Sequence, residues 1–165
     1  MSEKLVYGIA SVKYGTPTGL ATMPVSVAAL AGTVKGSFTF SETESTTIDA
    51  VIEEADLPLE TITSEASKLE GTWKIFDNTA ATLVALMGGT ATGDVWDAPA
   101  VKPEIRMALE ITTTAGPAIY IYKAKIVARE TGILSKEGFK QIEIKFTALS
   151  PGTGLSGYKW DNSPA

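Results

Sequence analysis

The amino-acid sequence predicts a mainly β protein, a β-sandwich or barrel of about seven strands with one short flanking α-helix over about residues 78–88. Three observations predict it. Apolar and polar residues alternate at period two along several separate stretches, the pattern of strands with one buried face. One stretch departs from this: Ala80, Leu83, Val84 and Met87 stand at i, i+3, i+4 and i+7, on one side of a 3.6-residue repeat. Many of the 15 glycines and 8 prolines lie between the apolar stretches, where turns between strands need them.

Taken in order, residues 5–13 read as a first strand and residues 14–24 as a Gly/Pro/Thr turn region. Residues 25–30 give a short second strand. Over 33–41, Val34, Phe38 and Phe40 share one face while Lys35, Ser37 and Thr39 share the other. Over 68–76, Leu69, Trp73 and Ile75 oppose Lys68, Glu70, Thr72 and Lys74, a half-buried strand. The helix follows, with Asp77 or Asn78 as its cap and Gly88-Gly89 as its end, since glycine enters the left-handed conformation of a C-cap without steric cost. Residues 90–103 read as a Gly/Asp/Pro loop. Ile105, Met107, Leu109 and Ile111 then alternate with Glu104, Arg106, Ala108 and Glu110. In the next run, AIYIYKAKIVAR, residues 118–122 are apolar on both faces, so that end is expected to be buried on both sides. Ile142, Ile144, Phe146 and Ala148 alternate last, before a Gly-rich tail.

A chain of 165 residues with 44% hydrophobic and 20% charged residues suits one folded domain, residues 1–165, with residues 1–4 and 151–165 as terminal arms. It contains no cysteine and no histidine. That removes thiol nucleophiles, Ser-His-Asp triads, Cys/His zinc sites and disulfides. No cofactor is expected. The most apolar N-terminal run, LATMPVSVAALAG, is interrupted by Pro24 and is shorter than the roughly 20 residues a membrane helix needs. MSEKLVYGIASVKYG lacks the continuous apolar core of a secretory signal. A soluble, cytoplasmically made protein with no membrane association is expected.

The net charge of −5 is unevenly spread. Glu42, Glu44, Asp49, Glu53, Glu54, Asp56, Glu60, Glu65 and Glu70 are opposed within residues 42–70 by Lys68 alone, a local balance of −8 that leaves +3 for the remainder. Residues 123–145 carry six bases, among them Lys123, Lys125, Arg129, Lys140 and Lys145, against three acids. A plain solvated loop explains the acidic segment as readily as an interface does. On the interface reading, one copy's acids, led by Glu42, Glu44, Asp49, Glu53, Glu54 and Asp56, meet the next copy's basic strands, and a head-to-tail contact of that kind builds rings or filaments.

Catalytic alternatives are thin. Glu53, Glu54 and Asp56, or Asp94 with Asp97, offer carboxylates for acid–base or hard-metal chemistry, but neither group has the ligand spacing of a calcium loop. Gly88-Gly89 lacks the Lys-Ser/Thr of a phosphate loop and follows a helix instead of preceding one. Trp73 reads as core; Trp96 and Trp160 read as exposed or packed on a neighbouring copy, and a sugar-binding platform on them is the alternative.

A strand with GSFTFSE, the acidic EEADLPLETITSEA, a strand ending LEGTWKIFD, the helix NTAATLVALMGG, three further strands and a Gly-rich tail follow one another in this chain. In pattern and element order, over about residues 5–150, this resembles the tail tube (major tail) proteins of long-tailed bacteriophages. The resemblance implies a non-enzymatic virion structural protein made in the bacterial host cytoplasm and located in the virion tail. It implies hexameric rings whose inner strands join into one barrel, stacked into a tube through which the tape measure protein and DNA, the latter without specific binding, pass, with other tail proteins as further partners. By the same analogy the acidic segment takes part in stacking, the arms reach neighbouring subunits, and the helix, through Leu83, Val84 and Met87, covers the outer face of the sheet or the seam between subunits. The runner-up expectation is a monomeric β-sandwich binding module for a carbohydrate or protein ligand.

Overall fold

The computed structural model describes residues 5–54 and 56–163. The expected N-terminal arm, residues 1–4, lies outside them. Within them the chain is mainly β with one short helix, as its periodicity predicts. The elements are β1 (Ser11–Gly15), β2 (Ala28–Ala29), β3 (Thr39–Glu42), β4 (Thr46–Ala50), β5 (Glu60–Glu65), β6 (Leu69–Ile75), α1 (Ala80–Met87), β7 (Thr90–Thr92), β8 (Val95–Asp97), β9 (Ile105–Thr112), β10 (Ala118–Gly132), β11 (Lys140–Ala148) and β12 (Tyr158–Asp161).

Eight strands form one antiparallel sheet in the order β2-β1-β9-β10-β11-β6-β3, with β12 paired to the first part of β10. The two ends of this order are drawn together by one piece of chain. Leu30 N donates to Val12 O on β1, while Val34 N donates to Lys74 O and Phe76 N to Gly32 O at the end of β6. Four residues of extended chain span at most roughly 13 Å, so the sheet curls until its margins are nearly closed. Its inner face holds Val12, Trp73, Ile75, Leu109, Ile111, Ile121, Ile126, Ile142, Ile144 and Phe146, all buried in one cluster. Each such side chain contributes about 1.5–3 kcal/mol by leaving water. Gly71 makes room for this packing, since a Cβ there would stand 2.4 Å from the Phe146 ring.

A register shift between Ile121 and Ala124 explains the doubly apolar start of β10. Before it, Ile119 and Ile121 pair with Ile111 and Leu109; after it, Ala124 and Ile126 pair with Met107 and Ile105, so the core-facing positions pass from odd to even. The C-terminal tail runs alongside the edge of β10 there. β12 pairs with residues 118–121, and Tyr122 N donates to Gly157 O, leaving Ala118 and Tyr122 buried. Residues 158–161, read in sequence as part of an arm, are therefore a strand of the chain's own sheet.

Several expected boundaries move. Residues 5–10 are not a strand, the first strand being Ser11–Gly15, and the second shrinks to Ala28–Ala29. The expected loops over 42–63 and 90–103 contain the hairpins β4–β5 and β7–β8. Neither hairpin buries a full face, so neither shows a strand's alternation in sequence.

Candidate assembly surface

The acidic segment projects as a ribbon. β4 and β5 pair from Thr46↔Glu65 to Ala50↔Glu60 in a two-stranded sheet of their own, hydrogen-bonded to each other and not to the main sheet. Asp49 accepts from the Thr61 hydroxyl at 2.7 Å, and Glu42 at the root accepts from the Ser67 hydroxyl at 2.8 Å. Glu44, Glu53, Glu54 and Asp56 are exposed. Apolar groups are exposed beside them. The cross-strand pair Ile48 and Ile62 is 57% and 58% accessible, and Val51, Ile52, Leu57 and Leu59 surround the tip. Residues 43–67 hold seven acids and no base.

The basic residues are not gathered opposite this ribbon within the chain. Lys125, Arg129 and Lys145 lie on the polar outer face of the sheet, Lys123 lies in the bulge of β10, and Lys140 stands at the start of β11. Three of the five are already paired: Lys125 with Glu104 at 3.6 Å, Arg129 with Glu143 at 2.7 Å, and Lys140 with Glu130. Arg106 also pairs with Glu104 at 3.0 Å, and its hydrogen bond, ahead of the nearby Lys125 charge, holds that exposed carboxyl below its usual range.

The helix is placed differently from expectation. Leu83 and Met87 are buried, but Val84 is only half-buried and Leu86 takes its place in the core. These side chains join the cluster of Ile126, Ala128 and Ile142, so α1 closes the inner core and leaves the outer face uncovered. The reason is polarity: Lys125, Arg129 and Lys145 on that outer face offer no apolar bed. The N-cap is Thr79, whose hydroxyl accepts from Thr82 N, and not Asp77 or Asn78. Asp77 supports that cap, accepting from Thr79 N at 3.0 Å and from the Thr82 hydroxyl at 2.9 Å. Partial burial pushes the Asp77 carboxyl up, but these hydrogen bonds oppose it and together hold it below its ordinary value. At the other end the helix stops at Gly88 as expected, its N–H bonding to Val84 O, but with φ 77° and ψ −158° the glycine is extended at positive φ and not in the left-handed helical conformation.

Trp96 is half-buried inside its own chain, its Nε1 donating to Gly88 O at 2.9 Å, so it ties β8 to the helix end and is not an exposed platform. Trp160 is also half-buried, its ring 6.0 Å from that of Phe40. Trp73 is core, packed on Phe38 and Phe146, with an indole N–H that has no hydrogen-bond partner among the described residues. Asp94 and Asp97 belong to the β7–β8 hairpin. Among the described residues no three acids gather as metal ligands, and no helix is long and apolar enough to cross a membrane.

A cavity of about 520 Å³ opens where the ribbon is rooted, lined chiefly by Tyr7, Ile9, Phe38, Phe40, Phe146 and Trp160. Sequence reasoning missed it because its wall combines residues 6–9, which alternate like a strand but are not one, with side chains from six strands, β3, β6, β9, β10, β11 and β12.

No family model matches the chain, and no curated protein matches it.

Proposed function

We propose that the protein is a structural subunit that assembles with copies of itself, as a tail tube protein does, and has no chemistry of its own. The observation that carries this is the 43–67 ribbon, which exposes aliphatic side chains and seven acids while its strands pair only with each other. A two-stranded hairpin is marginal by itself, and uncovered apolar groups in water cost free energy unless a partner buries them. Stacked hexameric rings, the passage of DNA without specific contacts, the tape measure and other tail proteins as partners, and residence in a virion tail belong to the same reading and rest on the resemblance in element order. Electron microscopy of the concentrated protein tests it: rings of uniform bore or tubes are expected, and a chain that remains monomeric at high concentration overturns it.

The aromatic-walled cavity favours a second reading, a monomeric binding module for a small ligand. Its volume falls in the range of small-molecule sites. That reading expects a monomer whose melting temperature rises with a saturating ligand and does so no longer after Trp160→Ala.

A further inference from the structure

The surface that receives the ribbon must meet three conditions. It must be apolar, to cover Ile48, Ile62, Val51, Ile52, Leu57 and Leu59. It must not add to the ribbon's seven uncompensated acids, because like charges brought together repel. It must also be left unused by its own chain. The basic strands fail the first condition, since their outer face is polar, and the third in part, since Lys125, Arg129 and Lys140 are already paired. The cavity fails the second. Leu69 and Phe40, at the root of the ribbon, line it, so a ribbon entering from another copy would bring two acidic ribbons side by side.

The turn between β10 and β11 meets all three. Ile133, Leu134 and Phe139 are exposed there, Leu134 at 87%. Phe76 extends the patch, its ring edge-on to Phe139 at 5.8 Å. The turn is well defined, since Ile133 lies so close to Gly138 that a Cβ on the glycine would stand 2.6 Å from its carbonyl oxygen. Lys136 is exposed in this turn and makes no ion pair among the described residues; it offsets Glu137, also exposed there, so the turn adds no net negative charge.

Resting on the self-assembly proposed above, we infer that residues 133–139 together with Phe76 receive the apolar tip of the 43–67 ribbon from a second copy. The ribbon leaves the sheet beside Glu42 and Leu69, whereas the patch lies beyond Ile75 and Gly132, at the opposite end of the same strands. Giver and receiver are thus different surfaces facing opposite ways. Each copy gives one contact and receives one, and the series runs in one direction. From residue 43 to residue 52 the ribbon reaches at most roughly 30 Å at 3.3 Å per residue, enough to extend past its own sheet onto a neighbour.

The test uses the full chain in two double variants, L57D with L59D at the tip and L134D with F139D at the turn, each purified separately and sized by light scattering where the parent chain assembles. All four positions are exposed, so both variants should melt with the parent; Leu134→Ser serves as a milder turn variant if the double one does not. Each variant alone should stop at one unit, a monomer or a single ring. A mixture should stop at two units, because the tip-defective copy still offers a turn and the turn-defective copy still offers a tip. A turn variant that assembles like the parent, or a mixture that stays at one unit, overturns the turn as receiver and leaves self-assembly standing. A parent chain that never assembles removes self-assembly itself, and the inference with it.

Discussion

At the residue scale, the helix start concentrates several interactions in a few atoms. Thr79 caps the first turn and Asp77 caps Thr79, because its carboxylate accepts both the Thr79 backbone N–H and the Thr82 hydroxyl. Replacing Thr79 by Ala should cost about 1 kcal/mol, the usual worth of a cap. The pH dependence has a definite sign. Asp77 titrates below its ordinary value of 3.8 in the folded chain, so its contribution is fully present above that value and is lost as pH falls through the lower folded one. Acid should therefore destabilise the parent more than Asp77→Asn, measured as the midpoint of urea unfolding at pH 6 and at pH 3. Equal losses in the two would remove Asp77 from this role.

At the element scale, α1 shows what an eight-residue helix is for in a β protein. Too short to persist alone, it carries Leu83, Leu86 and Met87 into the core beside Ile126 and Ala128. Leu83→Ala should cost about 2–5 kcal/mol, as other buried leucine truncations do, and Leu83→Asp should prevent folding; a normally folded Asp variant would contradict the packing. The ribbon behaves in the opposite way. Its strands pair only with each other, so amides of β4 and β5 should exchange with solvent quickly in the free chain, while those of β10 and β11 exchange slowly. In assembled material the ribbon should become protected, and exchange that is unchanged on assembly would place the interface elsewhere. The same contrast decides what the sequence made legible. β6, β9 and β11 were readable because one face is buried and the other wet, which writes period two into their residues. β4–β5 and β7–β8 bury no full face and left no such record. The helix was readable by spacing, but Leu86 was not, since neither its neighbours in space nor the core it enters can be seen from a 3.6-residue wheel. The acidic segment was legible as charge, and its shape as a projecting ribbon was not.

At the scale of the whole molecule, charge is divided between an appendage and a body. The ribbon of residues 43–67 holds −7 of a chain whose net charge is −5, so the remaining residues sum to +2. Two complete copies repel at long range, yet ribbon and body attract. These two effects respond oppositely to salt, which makes the orientation of the contact measurable. At about 0.05 M salt the field of each ribbon reaches beyond 10 Å, and by about 0.5 M it is confined to a few ångströms. If ribbons dock on the body of the next copy, added salt screens an attraction and slows the growth of assemblies. The final extent should fall less than the rate, because Leu57, Leu59 and Leu134 bury apolar surface that salt does not screen. If ribbons instead pack on ribbons, salt screens a repulsion between two −7 segments and growth accelerates. Light scattering followed over time at the two salt concentrations separates the cases: since salt also relieves the long-range repulsion of two −5 copies, slowing can come only from a screened attraction, and a rate that salt fails to slow would count against docking of the acidic ribbon on a neighbouring body.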